Sequence, residues 1–361
     1  QLQNALPVES VSGSCVRSAD VDNDGFPDLF VGGKLIPGLF PEAPESFILR
    51  NKSTRGHIHF EKDTSQTDSL LAHPGMVTDA VWIDVNKDGW NDLIVVGEFM
   101  PITVFENHKG KLVDQTKAYG LGETQGWWCR ILADDFDGDG DTDLVVGNIG
   151  LNTQFKASAK EPLRITYADF NGDGVIDPIM SYFIQSKSYP NASRDEILEQ
   201  VPSLQKKISR YADYADAQLS DLFSQEQLLK ASSVEIRTLA SVYLRNDGKN
   251  GFTLKPLPQY AQVSMMNGMV ARDVNHDGYK DIIFAGNFFP MRAQQGPLDA
   301  GIGSVLIGDG KGNFTSLLYP QTGLNLRGDV RNLVTIKGRF DDMLAVARNN
   351  GRLQVLKMKF P

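Results

Sequence analysis

Five stretches of this sequence space their acidic side chains so that they could close around a hard cation. The first is Asp20-Val21-Asp22-Asn23-Asp24-Gly25-Phe26-Pro27-Asp28. The same pattern, D-x-[DN]-x-D-G-x-x-D, returns at Asp84, Asn86, Asp88 and Asp92, and at Asp135, Asp137, Asp139 and Asp143. It returns again at Asp169, Asn171, Asp173 and Asp177, and at Asp273, Asn275, Asp277 and Asp281. Side-chain oxygens at positions 1, 3 and 5 converge only if the chain curls sharply. The glycine at position 6 of every copy permits this, because it tolerates positive φ. Position 7 then offers its carbonyl, which leaves its side chain free to vary: Phe26, Trp90, Asp141, Val175 and Tyr279. The aspartate at position 9 is expected to close the cage with both oxygens. Calcium takes about six to eight oxygen ligands, so up to five Ca²⁺ ions are expected. The pattern opens like an EF-hand loop but ends on aspartate at position 9, with no helix after it. A single Asp/Asn/Gly cluster could equally be an Asx turn; five copies with matched ligand positions favour metal.

The flanking residues say what must hold these loops. Short apolar runs follow four of them: Leu29-Phe30-Val31, Leu93-Ile94-Val95-Val96, Leu144-Val145-Val146 and Ile282-Ile283-Phe284, each soon closed by glycine. Such runs with a turn signal read as strands. In the second repeat the expected strands are Val77–Ile83, Leu93–Val96, Ile102–Glu106 and Leu112–Gln115. The fifth repeats this order, and a degenerate sixth unit (Val330–Ile336, Met343–Ala347, Leu353–Met358) flanks a shortened loop at Lys337–Asp342 that lacks the ligand spacing. Between the fourth and fifth motifs, residues 193–232 change to helical periodicity. There Ser193 and Glu196 form a capping box, and Pro202 should end the first helix. The expectation is a single all-β domain over 1–361, a β-propeller of four-stranded blades. Six blades are counted, with seven as the alternative, and the helical stretch is an insertion within the fourth repeat. Residues 3–9 are expected to close the ring as the last strand of the sixth blade.

Composition narrows the class. The formal charge is −9 with no basic stripe, which excludes a nucleic-acid partner. Seventeen carboxylates lie at ligand positions, and five divalent ions would bring the formal charge to +1. No apolar run is long enough for a transmembrane segment. The chain opens on Gln1 and reads as a mature fragment or part of a longer multi-repeat chain. Cys15 and Cys129 fall on different repeats and should not meet. His57 and His59 would share one side of a strand, a weak transition-metal pair or simply two exposed histidines. Arg327-Gly328-Asp329 spells an integrin-recognised tripeptide, read here as coincidence. No G-x-S-x-G elbow appears, and no other catalytic constellation is evident.

The loops, each flanked by strands, resemble the FG-GAP repeats of integrin α-subunit propellers and the bacterial VCBS repeats. The stretches GWWCRILADDFDGDGDTDLVVGNIGLNTQF and SYPNASRDEILEQVPSLQKK are similar to VCBS-repeat proteins related to cartilage acidic protein. The resemblance implies calcium loops between the first and second strands of each blade, on one face of a disc, with partners docking on the opposite face. That face would be built from Lys34–Glu45, Gly120–Trp127, the helical insertion and Asn287–Ile302, which with Trp128 carry Phe40, Trp127, Trp128, Phe288, Phe289 and Met291.

The expected function is that of a non-enzymatic, calcium-stabilised binding or adhesion module. Its partner would be a glycan or surface protein, and its setting extracellular, cell-surface or periplasmic, in an exported bacterial protein. The alternative is an enzyme or accessory subunit of a polysaccharide-utilisation system, with its site on the loop-rich face.

Overall fold

The computed structural model of the protein describes residues 5–7, 12–66, 70–292, 295–338 and 342–358. Among them, 24 strands form six antiparallel sheets. The first blade is β1 (Ser12–Ala19), β2 (Asp28–Leu35), β3 (Phe47–Asn51) and β4 (Phe60–Lys62), hydrogen-bonded in that order. The second is β5 (Met76–Ile83), β6 (Asp92–Met100), β7 (Thr103–His108) and β8 (Lys111–Asp114). A two-residue strand, β9 (Gly126–Trp127), pairs with the far end of β6.

The third blade is interrupted. It begins with β10 (Arg130–Asp134) and β11 (Asp143–Gly147), and the chain then leaves to build a separate sheet. That sheet comprises β12 (Leu163–Ala168), β13 (Asp177–Ile184), β14 (Lys187–Pro190) and, after the helices α1 (Arg194–Gln200), α2 (Tyr211–Tyr214), α3 (Leu219–Leu222) and α4 (Gln225–Lys230), β15 (Ser232–Ile236). Only then do β16 (Val242–Asn246) and β17 (Phe252–Pro256) complete the third blade beside β11. The fourth blade is β18 (Gly268–Arg272), β19 (Asp281–Ala285), β20 (Ser304–Gly308) and β21 (Phe314–Leu317). The last is β22 (Val330–Ile336), β23 (Met343–Arg348) and β24 (Gln354–Lys357).

Six sheets match six counted units, but the sheet carrying the fourth acidic loop is nested inside the third blade instead of following it. The short interval before the fourth loop is therefore the start of an excursion between two strands of one blade. Its helices behave as the local sequence dictates. Ser193 caps α1 in a reciprocal box with Glu196, and a 3₁₀ turn begins at Pro202. Phe170 stacks on Phe223 at 4.0 Å between ring centres, which seats the helices on one face of the inserted sheet.

The strand runs of the second blade are apolar on both faces because a neighbouring blade covers each side. Leu93 and Val95 pack toward the first blade, while Ile94 and Val96 pack toward the third. The inner strands β1, β5, β10, β18 and β22 lie side by side in that order. A polar hub ties them together. Asp79 of β5 is 1% exposed and pairs with Arg17 of β1 and, at 3.4 Å, with Arg130 of β10. Arg130 also donates to the carbonyls of Asn267, just before β18, at 2.7 Å and of Arg331 on β22 at 2.9 Å. Residues 3, 4, 8 and 9 of the expected closing strand lie outside the described residues. Of the remainder, the Ala5 carbonyl accepts from the Phe60 amide on β4 at 2.9 Å.

Connectivity assigns two ends to the ring. In an antiparallel blade the first-to-second and third-to-fourth turns share one end. The acidic loops at 20–28, 84–92, 135–143 and 273–281 therefore lie together. The connections 36–46, 115–125, 148–162, 257–267 and 286–303 lie at the other end. The loop at 169–177 belongs to the sheet that springs from that second end.

Asp79→Ala should cost about 3 kcal/mol in urea unfolding, because two guanidiniums lose their shared counter-charge. The value is kept near the low end because both arginines reach water. Asp79→Asn should recover part of it; an unchanged midpoint for Asp79→Ala would remove the hub from the account of stability.

Candidate functional site

Each acidic loop is built by its own backbone. The position-1 carboxylate collects loop amides. Asp20 accepts from Asp24 at 3.1 Å and Gly25 at 2.8 Å, and Asp84 accepts from Asp88 and Gly89 in the same way. The position-5 carboxylate accepts the position-7 amide in all five copies, at 2.8–2.9 Å. The glycine at position 6 is left-handed throughout, with φ between 85° and 91°. Position 4 is left-handed too, at Asn23, Lys87, Gly138, Gly172 and His276. Sequence reading missed this, because only two of these residues are glycine. Position-7 side chains point outward, with Phe26, Val175 and Tyr279 about half exposed, as a carbonyl-only contribution requires.

In two of the five loops the acidic ligand groups converge. Carboxylate oxygens of Asp20, Asp22 and Asp24 lie within 4.8 Å of one another, and so do those of Asp135, Asp137 and Asp143. Buried oxygens of Asp22 and Asp273 have no hydrogen-bond partner. An all-oxygen set with orphaned acceptors fits a hard cation such as calcium. In the other three loops Asn86, Asn171 and Asn275 each donate an amide N–H to the position-5 carboxylate, at 2.8–3.2 Å. Those loops thus answer part of their own charge.

Position 9 has a second task beyond the expected cage closure. Asp28, Asp92, Asp143, Asp177 and Asp281 are at most 2% exposed. In each, one oxygen accepts the position-2 amide, from Val21, Val85, Phe136, Phe170 or Val274. In the four ring loops the other oxygen accepts a third-strand amide, from Asn51, Asn107, Asn246 or Gly308, at 2.7–2.9 Å. The Tyr243 O–H also donates to Oδ2 of Asp143, and Arg50 donates to Oδ2 of Asp28, so in those two loops it is the Oδ1 atom that keeps a lone pair for a cation. Burial pushes Asp92 and Asp143 up to about 6 against the opposing pull of these amides, and Asp28, Asp177 and Asp281 are raised for the same reason.

Asn107 and Asn246 were not picked out as functional residues. Their side chains donate to the position-2 carbonyl of the preceding blade's loop, at Val21 (2.8 Å) and Val85 (3.1 Å). The first and second loops are thereby each stitched to the next blade. The signal was present as an asparagine closing three third strands, Asn51, Asn107 and Asn246.

At the opposite end lies a cleft of about 270 Å³ whose lining includes Phe40, Trp127, Phe288 and Met291, four of the six side chains expected there. Trp128 does not join them. It is fully buried, with its indole N–H on the Thr124 carbonyl at 3.0 Å. Phe289 is exposed, and it too lies outside the lining. Phe99 and Phe155, which sequence reading did not select, complete the aromatic wall, with Glu98, Asn191, Arg292 and Gln295 as polar groups. The Trp127 indole N–H is buried without a partner. The cleft shares Met291 and Gln295 with a cavity of about 370 Å³, which shares Leu151 and Val263 with one of about 830 Å³. The three form one trough.

Residues 84–146 match the FG-GAP-like repeat family. That span holds the second and third acidic loops and the strands between them. No curated protein matches the chain in sequence. Among solved structures the chain is similar to the V. cholerae biofilm matrix protein Bap1, at 11% identity, over 96% of this chain and 77% of that one, with a TM-score of 0.28. It is similar to an Agrocybe aegerita lectin that recognises non-reducing terminal N-acetylglucosamine, at 15% identity, over 96% and 80%, with a TM-score of 0.32. A third is BBS1N in complex with ARL6DN, at 11% identity, over 97% and 93%, with a TM-score of 0.30.

The other motifs resolve simply. Cys15 and Cys129 are free, and burial pushes their thiols up to about 11 and 12. His57 and His59 precede β4 and do not lie on one strand; their rings stack at 6.0 Å. Asp329 is 2% exposed and paired with Arg331, which withdraws the Arg327-Gly328-Asp329 tripeptide from solvent recognition.

Calcium titration against a chromophoric chelator should show two classes of site. The two all-aspartate loops should fill at lower free calcium than the three with asparagine, since affinity follows ligand charge. Asp137→Asn should move one equivalent from the tighter class to the weaker. A single class unaffected by that change would contradict the ligand assignment.

Proton linkage supplies a second check, in chelator. Buried carboxylates whose folded pKa is raised contribute stability below their unfolded pKa and lose it as pH rises through the folded value. Metal-free protein should therefore gain melting temperature between pH 7 and pH 5.5, read by calorimetry, before the ordinary carboxylates titrate. A flat or falling melting temperature over that interval would show that these aspartates are not charged and buried together.

Proposed function

We propose that this chain is an exported, calcium-stiffened binding module that recognises a glycan through the aromatic cleft at the end away from the ring's acidic loops. The cleft carries the reading. Flat apolar walls from Trp127, Phe99 and Phe288 suit the faces of a sugar ring. Glu98, Asn191, Arg292 and Gln295 supply acceptors and donors for hydroxyls, and the unpartnered Trp127 N–H offers one more. The acidic loops support the setting, because modules of this kind bind calcium at about 10⁻⁴–10⁻³ M, as found outside cells. No helix among the described residues is long and apolar enough to cross a membrane.

A non-catalytic role fits the same lining. Glycoside hydrolysis generally uses two carboxylates flanking the scissile bond, and Glu98 is the one carboxylate among the described lining residues. A surface protein is the other class of partner this cleft could admit, through an inserted aromatic or aliphatic side chain.

A glycan array probed in calcium should return binding that Trp127→Ala reduces at least tenfold with unchanged thermal unfolding. Chelation should weaken it only so far as the fold loosens. Array silence combined with capture of a surface protein would transfer the cleft to that partner, and turnover of any polysaccharide by the purified protein would replace the binding reading with an enzymatic one.

A further inference from the structure

The trough changes chemistry along its length. Its cleft end is aromatic. The middle cavity is polar, with Thr153, Gln154, Lys156 and Asp299 in its lining. The largest cavity is apolar: its walls include Leu151, Leu257, Val263, Phe284, Ile302 and Leu318, and no charged side chain borders it. The polar groups of its floor are already committed. The Gln262 side chain donates to the Ser241 and Leu257 carbonyls, at 2.8 and 3.0 Å, and accepts the Ser241 amide at 2.8 Å. Ser304 donates to the Leu317 carbonyl at 2.6 Å, and the Asn152 side chain donates to the Val263 carbonyl at 3.1 Å. Both backbone groups of Gly301 bond to the Asn287 side chain. Hydrogen-bonding capacity remains at the rim, on Gln259 and on the phenols of Tyr260 and Tyr319, which are each about half exposed.

A floor whose donors and acceptors are spent cannot repay the desolvation of sugar hydroxyls. It can take a methyl group, and the phenol O–H groups above it can donate to a carbonyl. An acetyl group carries one of each. Charge narrows the ligand further. Among the described lining residues of the whole trough, Glu98 and Asp299 are balanced by Lys156 and Arg292, so no net charge favours an acidic or amino sugar. Size sets the length. Small-molecule pockets ordinarily span about 300–1,000 Å³. The cleft alone, at about 270 Å³, falls short of that range, and the three cavities together exceed it.

We propose that the trough binds a neutral, acetylated oligosaccharide, a ligand class that rests on the glycan reading of the cleft. One sugar ring stacks in the aromatic cleft. The residues beside it spend their hydroxyls on the polar middle. An acetylated residue lies over the apolar cavity, its methyl group toward Leu257 and Phe284 and its carbonyl toward the phenols at the rim.

The test is an array of neutral glycans, from single sugars to hexasaccharides, with each acetylated chain beside a counterpart that bears hydroxyl in place of the acetyl groups. Wild type in calcium should bind the longer acetylated chains about tenfold more tightly than their counterparts or any single sugar. Leu151 and Tyr260 are about half exposed, so Leu151→Lys and Tyr260→Ala should leave thermal unfolding unchanged. Each should erase the preference for acetyl groups while the weaker binding of the hydroxyl counterparts persists. Trp127→Ala should weaken both forms alike. Binding that depends on Trp127 but ignores acetylation, or that is as tight for single sugars, would overturn this ligand class and leave the cleft reading standing. An acetyl preference that survives both Leu151→Lys and Tyr260→Ala would overturn it in the same way. Silence of the whole array would overturn both.

Discussion

A carboxylate shut away from water sits at the root of each acidic loop, and the blades are organised around it. Burying a charge is costly unless it is answered by hydrogen bonds and an opposite charge. The position-9 aspartate takes an amide from its own loop and, in the ring, another from the third strand, so one side chain fixes the loop to two strands. The remaining charge requires a cation. In the first blade Arg50 supplies part of it, 3.0 Å from Asp28 and 3.8 Å from Asp22. In the third, Lys87 reaches across from the second loop to Asp141. A bound divalent ion would complete what these side chains begin.

This arrangement separates two requirements that often conflict. One end of the ring is short, repetitive and tied blade to blade by Asn107 and Asn246. The other end carries the long connections, the inserted sheet and the trough. Function tends to sit on loops held by a rigid scaffold, and here the rigidity is concentrated at the far side of the same strands.

Much of this was legible in the sequence, because the loop pattern and the strand runs repeat and each copy confirms the others. The helix start at Ser193 was legible for the same kind of reason: a cap is local chemistry. What was not legible depended on pairing partners. A strand that continues in series and a strand that nests inside another blade carry the same apolar run, so Leu163–Ala168 did not reveal that β11 waits for β16. Trp127 and Trp128 are adjacent and chemically alike; one ends β9 on the cleft wall and the other, just past the strand, turns into the core, a difference set by tertiary packing. The left-handed turn at Lys87 and His276 was masked because those side chains do not advertise positive φ.

The nested sheet also imposes an order on synthesis. Leu144 pairs with Leu244, a hundred positions later. As the chain emerges from the ribosome, the first two blades have all their strands, and β11 has β10, before its second neighbour β16 is made. The inserted sheet and its helices must be made, and can compact as a local unit, while the third blade stands half built with an open edge. Closing that edge carries the entropy of a long loop unless the insertion has already folded and brought its ends together. The excursion then acts as an internal timer on assembly of the ring.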